Sequence, residues 1–501
     1  MKLNKSFLIT AAICMLMACF GDIDLSRAQD AGQADIDQIV QGFEDEAPAS
    51  ADLEDLMQGF QDETAAEKRA PTEEDEFLQG FDEQGDQEIL PSSKAEKPQS
   101  WSIEGELAFT AAYNFSSEAE PPWRGFSMVR PEAEFTLKNK FSDRWQAQVS
   151  VRGFYDLVYG LRGRENYTPQ VLDEYEKELE LKDTFIQGRL TAHLDTKIGR
   201  QVVVWGTLDN LRVTDVLNPL DLRVPGMTDI DDLRLPVTMV KLDYYFSDWA
   251  VSAMAIPEVR FSKWPVFGSD FFPAPVPLSP KDEPDNGFED GQYAAALSGV
   301  FSGWDIGFYG ADIYADQTYA EPVSPALPAQ LVRKHARVKM LGSATNLAIG
   351  NWLLKAEVAW LDDLRYTNTP GSEYTRIDLG GGVEYTGFSE ATVSLEAANR
   401  HIRDYDSRLE QAPDEIRKNE FQWALRFTKD FINDTLTLTL LASTFGIKAD
   451  DGAFERLDAE YDITDALAIR GGIVLYQAGD KGLFQDVDGN DRCFVVMKYH
   501  F

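Results

Sequence analysis

From Trp101 to the end of the chain, hydrophobic and polar residues alternate with a period of two. Trp145, Ala147, Val149 and Val151 alternate with Gln146, Gln148, Ser150 and Arg152. Trp352, Leu354, Ala356, Val358 and Trp360 face one way, and Lys355 and Glu357 the other. Ala391, Val393, Leu395 and Ala397 oppose Thr392, Ser394 and Glu396 in the same manner. Stretches of about ten residues with this period have the length and pattern of strands that cross a bilayer, lipid on one face and lumen on the other. Trp145, Trp352, Trp360 and Phe421 stand at strand ends, where aromatic girdles belong.

A soluble sandwich also alternates, so the connections decide. Short turns recur, among them Phe141-Ser142-Asp143-Arg144-Trp145, Phe246-Ser247-Asp248-Trp249 and Phe301-Ser302-Gly303-Trp304. Between them fall longer polar or proline-rich connections, near 115–125, 157–178, 206–235, 259–290, 315–331, 362–374, 401–417 and 477–490. Alternation of short and long connections is the signature of short periplasmic turns and longer outer loops. The pattern predicts strands near 102–114, 126–137, 145–156, 180–191, 194–205, 236–246, 249–258, 291–301 and 303–314. The others fall near 332–345, 350–361, 376–386, 389–400, 418–429, 434–445, 453–462, 466–476 and 491–501. The expected fold is therefore all-β: a transmembrane antiparallel β-barrel of 18 strands, with 16 as the alternative if the regions around 180–205 and 236–258 divide differently. Every backbone group in hydrocarbon needs a partner, so the sheet must close, and a barrel of that size has a bore wide enough for water.

Both ends agree with export. Lys2 and Lys5 precede an apolar run from Phe7 to Phe20, and Ser26-Arg27-Ala28 offers small residues for signal peptidase. Residues 1–28 read as a signal peptide, with lipoprotein processing at Cys19 as the alternative. Cleavage after Ala28 leaves Cys493 as the one cysteine, so no internal disulfide forms. At the other end, Cys493, Val495, Met497, Tyr499 and Phe501 alternate with Phe494, Val496, Lys498 and His500. A last strand ending on Phe501 with Tyr499 two residues earlier resembles the assembly signal of bacterial outer-membrane barrels. That implies the barrel assembly machinery and outer-membrane lipids as partners.

Residues 29–100 differ in texture. They hold 21 acidic and 4 basic residues with few aromatics, the composition of a disordered periplasmic segment. Three copies of one pattern interrupt it: Ile39-Val40-Gln41-Gly42-Phe43, Leu56-Met57-Gln58-Gly59-Phe60 and Phe77-Leu78-Gln79-Gly80-Phe81. Acids precede each copy and Gly ends it, which is capping chemistry for a short helix that folds on docking. Gly42, Phe43, Gly59, Phe60, Gly80 and Phe81 thus form a candidate multivalent docking motif for a periplasmic partner or the periplasmic part of an inner-membrane machine. The bland alternative is an acidic linker.

The densest stretch is Ile198 to Arg234. It contains Gly199-Arg200-Gln201, then Trp205-Gly206, then Arg212-Val213-Thr214-Asp215-Val216-Leu217-Asn218-Pro219. Further on come Leu233-Arg234-Leu235-Pro236-Val237, Ile256-Pro257-Glu258 and Phe267-Gly268-Ser269-Asp270-Phe271. In these residues the sequence resembles an uncharacterised family of proteobacterial outer-membrane barrels known by a domain-of-unknown-function label. The resemblance covers most of 100–501 and implies a porin-like barrel, with hydrophobic-molecule traffic beside inner-membrane transporters of the resistance-nodulation-division type. It supplies no substrate.

Read for itself, a connection of this length bearing Arg200, Trp205, Asp209, Arg212, Asp215, Asn218, Asp221, Arg223 and Arg234 is unusual for a loop tip. Interleaved charges of both signs point to an inward loop that narrows the pore, or to a latch whose ion pairs pin it to the wall. Proline-rich 259–290, with Trp264, Phe267, Phe271 and Phe272, reads as a stiff outer loop or an inward cap.

Other chemistry is thin. An outer-membrane hydrolase needs a His with a Ser or Asp partner, and His193, His335, His401 and His500 lie in no nucleophile motif. Asp486-Val487-Asp488-Gly489-Asn490-Asp491 has oxygen ligands, but Gly489 comes too early for an EF-hand, so it reads as an outer loop. No metal, cofactor or catalytic residue is assigned. The net charge of -38, with 85 acidic residues against 47 basic, argues against a nucleic-acid partner. With -17 in 29–100 and +1 in the leader, -22 remains for the barrel and disfavours a phosphate-type anion channel.

Overall fold

The computed structural model describes residues 101–501 apart from 120–121, 273–278, 325–329, 482–483 and 486. The leader and the acidic segment with its three Gln-Gly-Phe motifs lie outside the described residues, as does Asp486.

Each alternating stretch forms a strand, because one face meets apolar surroundings and the other the lumen. The first nine are β1 Trp101–Asn114, β2 Gly125–Ser142, β3 Trp145–Tyr155, β4 Lys177–Thr191, β5 Leu194–Gln201, β6 Val237–Phe246, β7 Trp249–Ile256, β8 Gln292–Phe301 and β9 Trp304–Pro322. The second nine are β10 Leu331–Ile349, β11 Trp352–Leu364, β12 Tyr374–Phe388, β13 Ala391–Ile402, β14 Asn419–Phe431, β15 Leu436–Phe445, β16 Gly452–Thr464, β17 Leu467–Gln477 and β18 Arg492–His500. Every strand pairs antiparallel with its neighbours in sequence, and β18 pairs with β1 from Glu106–His500 to Asn114–Arg492. The sheet is a closed 18-stranded barrel.

Phe501 completes the closure. Its backbone exchanges two hydrogen bonds with Gly105, at 2.9 and 3.0 Å. Its ring lies over Gly105 so closely that a Cβ there would meet the ring at 2.2 Å, and it stacks on Tyr499. The terminal aromatic therefore locks first strand to last.

Several boundaries depart from the pattern, among them the ends of β5 and β9. The pattern carries β5 to Trp205, but the strand stops at Gln201. The N–H of Val202 goes to the Asp183 carboxylate at 3.3 Å and that of Val203 to the Asn218 side chain at 2.8 Å, so the chain leaves the ladder and turns inward. Conversely, much of the connection expected at 315–331 is strand: β9 and β10 stay paired out to Pro322–Leu331. The outward face carries exposed apolar residues such as Leu179, Ile198, Phe308, Trp352 and Leu395. The inward face is divided. On β6 to β10 it is mainly apolar, with Met239, Ile256, Val338 and Met340 buried, whereas β11 to β18 carry buried Lys355, Glu357, Glu396, Arg456, Asp458 and Arg492.

Candidate functional site

The connection from Val202 to Pro236 crosses the bore instead of standing above it. It leaves the wall at β5, returns at the adjacent β6, and touches strands on the far side of the ring in between. Asn218 ties its base: the side chain accepts from Val203 N and donates to the carbonyls of Gln201 at 3.3 Å and Leu235 at 2.9 Å. A further bond from Leu235 N to Pro219 O at 2.7 Å closes the neck. Asn218 divides the connection into two lobes.

The first lobe, residues 202–218, lies against β9 to β13. Trp205 stacks on Tyr309 of β9, centroids 4.9 Å apart. Leu208, Leu211, Val213 and Leu217 join the same buried cluster as Met239, Ile256 and Met340. Two wall carboxylates grip its backbone. Glu357 of β11 accepts from the N–H groups of Thr207 (2.5 Å), Leu208 (2.8 Å) and Thr214 (2.9 Å), and from the Thr214 hydroxyl (2.7 Å). Glu396 of β13 accepts from Asp209 N, Asn210 N and Leu211 N at 2.8, 2.8 and 3.2 Å. Successive N–H groups converging on one carboxylate form an anion nest in the lobe's own backbone, seated on an acid of the wall. Between the two acids, Gly380 and Gly382 of β12 clear the surface; a Cβ on Gly380 would stand 2.7 Å from Leu208 and 2.8 Å from Val213. Asp209 pairs with Lys355 of β11, and Arg400 of β13 donates to Arg212 O at 3.2 Å.

The second lobe, residues 219–235, is held by charge. Arg223 meets Asp221 at 2.5 Å and Glu178 of β4 at 2.6 Å. Burial alone would raise the Asp221 carboxyl, but Arg223 and Lys263 hold it below the ordinary range. Asp229 reaches Arg456 of β16, which is fully buried, and Arg426 of β14 at 3.4 Å. Its carboxyl is likewise held low, the two guanidinium groups outweighing burial. Tyr476 of β17 donates to Pro225 O at 2.6 Å. Asp215 joins the lobes, 3.2 Å from Arg212 and 3.0 Å from Arg234, and Arg234 also holds Asp231.

Eight of the nine sequence-selected residues thus belong to one two-lobed body. Arg200 is the exception: on β5 it pairs with Glu258 at 2.6 Å and donates to Leu181 O at 3.0 Å. Sequence reasoning missed the wall partners Glu357, Glu396, Arg426, Arg456 and Tyr476. Three consecutive glycines, Gly380 to Gly382, inside a strand were the available signal, because glycine there marks the close approach of another segment. The 257–291 connection also turns inward at its middle, with Phe271 buried against Tyr476 and Asp270 paired to Arg492 at 2.8 Å, while Trp264 stays exposed. His335 is buried, stacked on Phe261 with centroids 3.4 Å apart.

A family described as "Protein of unknown function (DUF1302)" matches residues 126–501. No curated protein matches in sequence. Similar solved structures include OccAB1 of Acinetobacter baumannii, 13% identical, covering 81% of this chain and 99% of that one, TM-score 0.47. OccK2 (OpdF) of Pseudomonas aeruginosa, in complex with glucuronate, is 13% identical, with 80% and 98% covered and a TM-score of 0.47. OpdK of Pseudomonas aeruginosa, with vanillate, is 11% identical, with 80% and 99% covered and a TM-score of 0.47.

Proposed function

The chain belongs to the DUF1302 family, and from that premise we propose that it is a porin-like channel in the outer membrane of a Gram-negative bacterium, its two-lobed inner connection narrowing the path of a solute or small apolar molecule. One observation carries the reading: a connection that enters and leaves at β5 and β6 is fastened to β11, β13 and β16, across the bore. A segment so placed reduces the open section of any aqueous path, and its charges meet whatever passes. The mainly apolar stretch of inner wall on β6 to β10 and the charged stretch on β11 to β18 suit a solute with both characters.

Single-channel conductance in planar bilayers tests this, comparing the full barrel with a form lacking 206–235. Steady conductance that rises on excision supports the constriction. A barrel silent in both forms removes the channel reading.

The triple motif supports a second role, in which residues 29–100 dock the barrel to a periplasmic partner or to an inner-membrane transporter of the resistance-nodulation-division type. Substituting Phe43, Phe60 and Phe81 together by Ala should abolish binding of a 29–100 peptide to periplasmic extract. Unchanged binding removes the role.

A further inference from the structure

The barrel wall is not equally tall all the way round. β5 and β7 have 8 residues each, whereas β9 and β10 have 19. β4 has 15, and its pairing with β5 ends at Thr184–Arg200. Beyond that point Lys177–Leu181 pair with β3 on one edge, and among the described residues no ladder continues on the other. The outward side of this stretch is apolar: Leu179 is 80% exposed and Leu181 is exposed too, and Lys177 lies opposite the exposed Tyr155.

Side chains close the gap in place of backbone. Arg200 bonds Leu181 O and Glu258, and Glu258 also accepts from Thr238 N at 2.7 Å. Arg260 pairs with Glu180 and donates to Pro236 O at 2.9 Å. Lys263 pairs with Glu178 and with Glu180, the latter at 3.1 Å. Ionised groups beside hydrocarbon are costly and mark pathways more often than walls. A strand ladder opens only by stranding its N–H and C=O groups in lipid, whereas an ion pair can trade one partner for another. Apolar surface lies outside the seam, and inside it Glu178 meets Arg223 of the second lobe at 2.6 Å beside a buried tyrosine cluster. Outside it are Leu179 and Leu181; inside, Tyr175 donates to Arg223 O at 3.1 Å and packs in a buried cluster with Tyr159 and Tyr167.

We propose that this seam, between β4 and the segment 257–263, is a lateral gate through which an amphipathic molecule with an apolar body and an anionic head passes between the lumen and the outer leaflet. Each guanidinium that a Glu holds closed can instead hold the incoming head while the apolar body crosses beside Leu179. The proposal rests on the reading that solute reaches the lumen, so its test reports on both.

In the mature protein carrying Cys493→Ser, Glu180→Cys and Arg260→Cys are introduced together and joined, after folding into proteoliposomes, by a bismaleimide spacer. The probe is a pyrene-labelled long-chain carboxylate, its arrival in the bilayer followed against protein-free vesicles, with ion conductance measured on the same samples. The free double variant should deliver faster than its parent, and the joined form roughly tenfold slower than the free one, with conductance equal in both. Equal delivery with and without the spacer makes the seam a fixed seal and overturns the gate. A spacer that lowers conductance together with delivery also overturns it, since the block would then lie in the lumen. Responsive delivery without any conductance overturns the open-channel reading and leaves the gate standing.

Discussion

The two lobes of one connection are held inside the same barrel by different chemistry. The first presents Trp205, Leu208, Leu211 and Val213 to an apolar wall and has its N–H groups held by Glu357 and Glu396. The second carries Asp221, Arg223 and Asp229 to charges on β4, β14 and β16. Carboxylates that accept several backbone N–H groups fix the shape of a segment, because each bond is directional and each orphaned donor is expensive. Ion pairs fix position less strictly, since one charge accepts several partners. The first lobe is thus the rigid part of the inner connection and the second the adjustable part.

The strongest way to break this contrast is Glu357→Ala with Glu396→Ala. Six backbone N–H groups lose their acceptor, at about 1–3 kcal/mol for each one left buried and unpaired. The first lobe should leave the wall, and conductance should rise toward that of the form lacking 206–235. Glutamine at both positions should give a milder effect, because each amide keeps one accepting oxygen. Conductance unchanged by the double Ala substitution would show that packing alone holds the lobe.

Next in size is Gly380→Val, which touches no hydrogen bond. The added Cβ meets Leu208 at 2.7 Å and Val213 at 2.8 Å, so the first lobe must shift at a cost of about 1–3 kcal/mol. Hydrogen exchange should quicken across 202–218 and stay unchanged across 219–235. Faster exchange in both lobes alike would mean that Asn218 couples them into one body.

These partners explain what was and was not legible in the sequence. The barrel was, because lipid outside and lumen inside impose a period of two that few other environments sustain over so many strands. The pattern overextends β5 because Val203 and Trp205 continue an apolar alternation, though they pack inside the bore: Trp205 on Tyr309, Val203 against the same cluster. The pattern cuts β9 short because its polar outer end looks like loop without its partner strand. The inner connection was legible from its charge pattern. Glu357 and Glu396 were not, since each looks like any polar residue on an inward face; what distinguishes them is the backbone that arrives from about 150 and 185 residues away.

Asp229→Asn probes the adjustable lobe and should have a smaller effect. Arg456 loses Asp229 but keeps Asp458 at 2.7 Å, so its buried charge remains paired. The cost should be roughly 1 kcal/mol, well below that of stranding a buried charge. Exchange should quicken at 219–235 alone. Protection of that segment should also weaken in high salt, because Arg426 is partly exposed and its attraction to Asp229 is screened.

The smallest effect is the acid response of the second lobe. The carboxyls of Asp221 and Asp229 are both held below the ordinary value of 3.8, burial being outweighed by Arg223 and Lys263 in one case and by Arg456 and Arg426 in the other. A carboxyl whose folded pKa is depressed adds stability in full above its unfolded pKa and loses it as pH falls through the folded value. From neutral pH down to about 5, these two groups should therefore leave the lobe unmoved; it should loosen only below about 4. Single-channel noise recorded across that range measures it, with Asp229→Asn as the control, because the variant has already lost one of the two titrating tethers. A lobe that loosens near pH 6 in parent and variant alike would place the acid-sensitive group elsewhere, and the ion pairs of Asp221 and Asp229 would then not be what holds the second lobe.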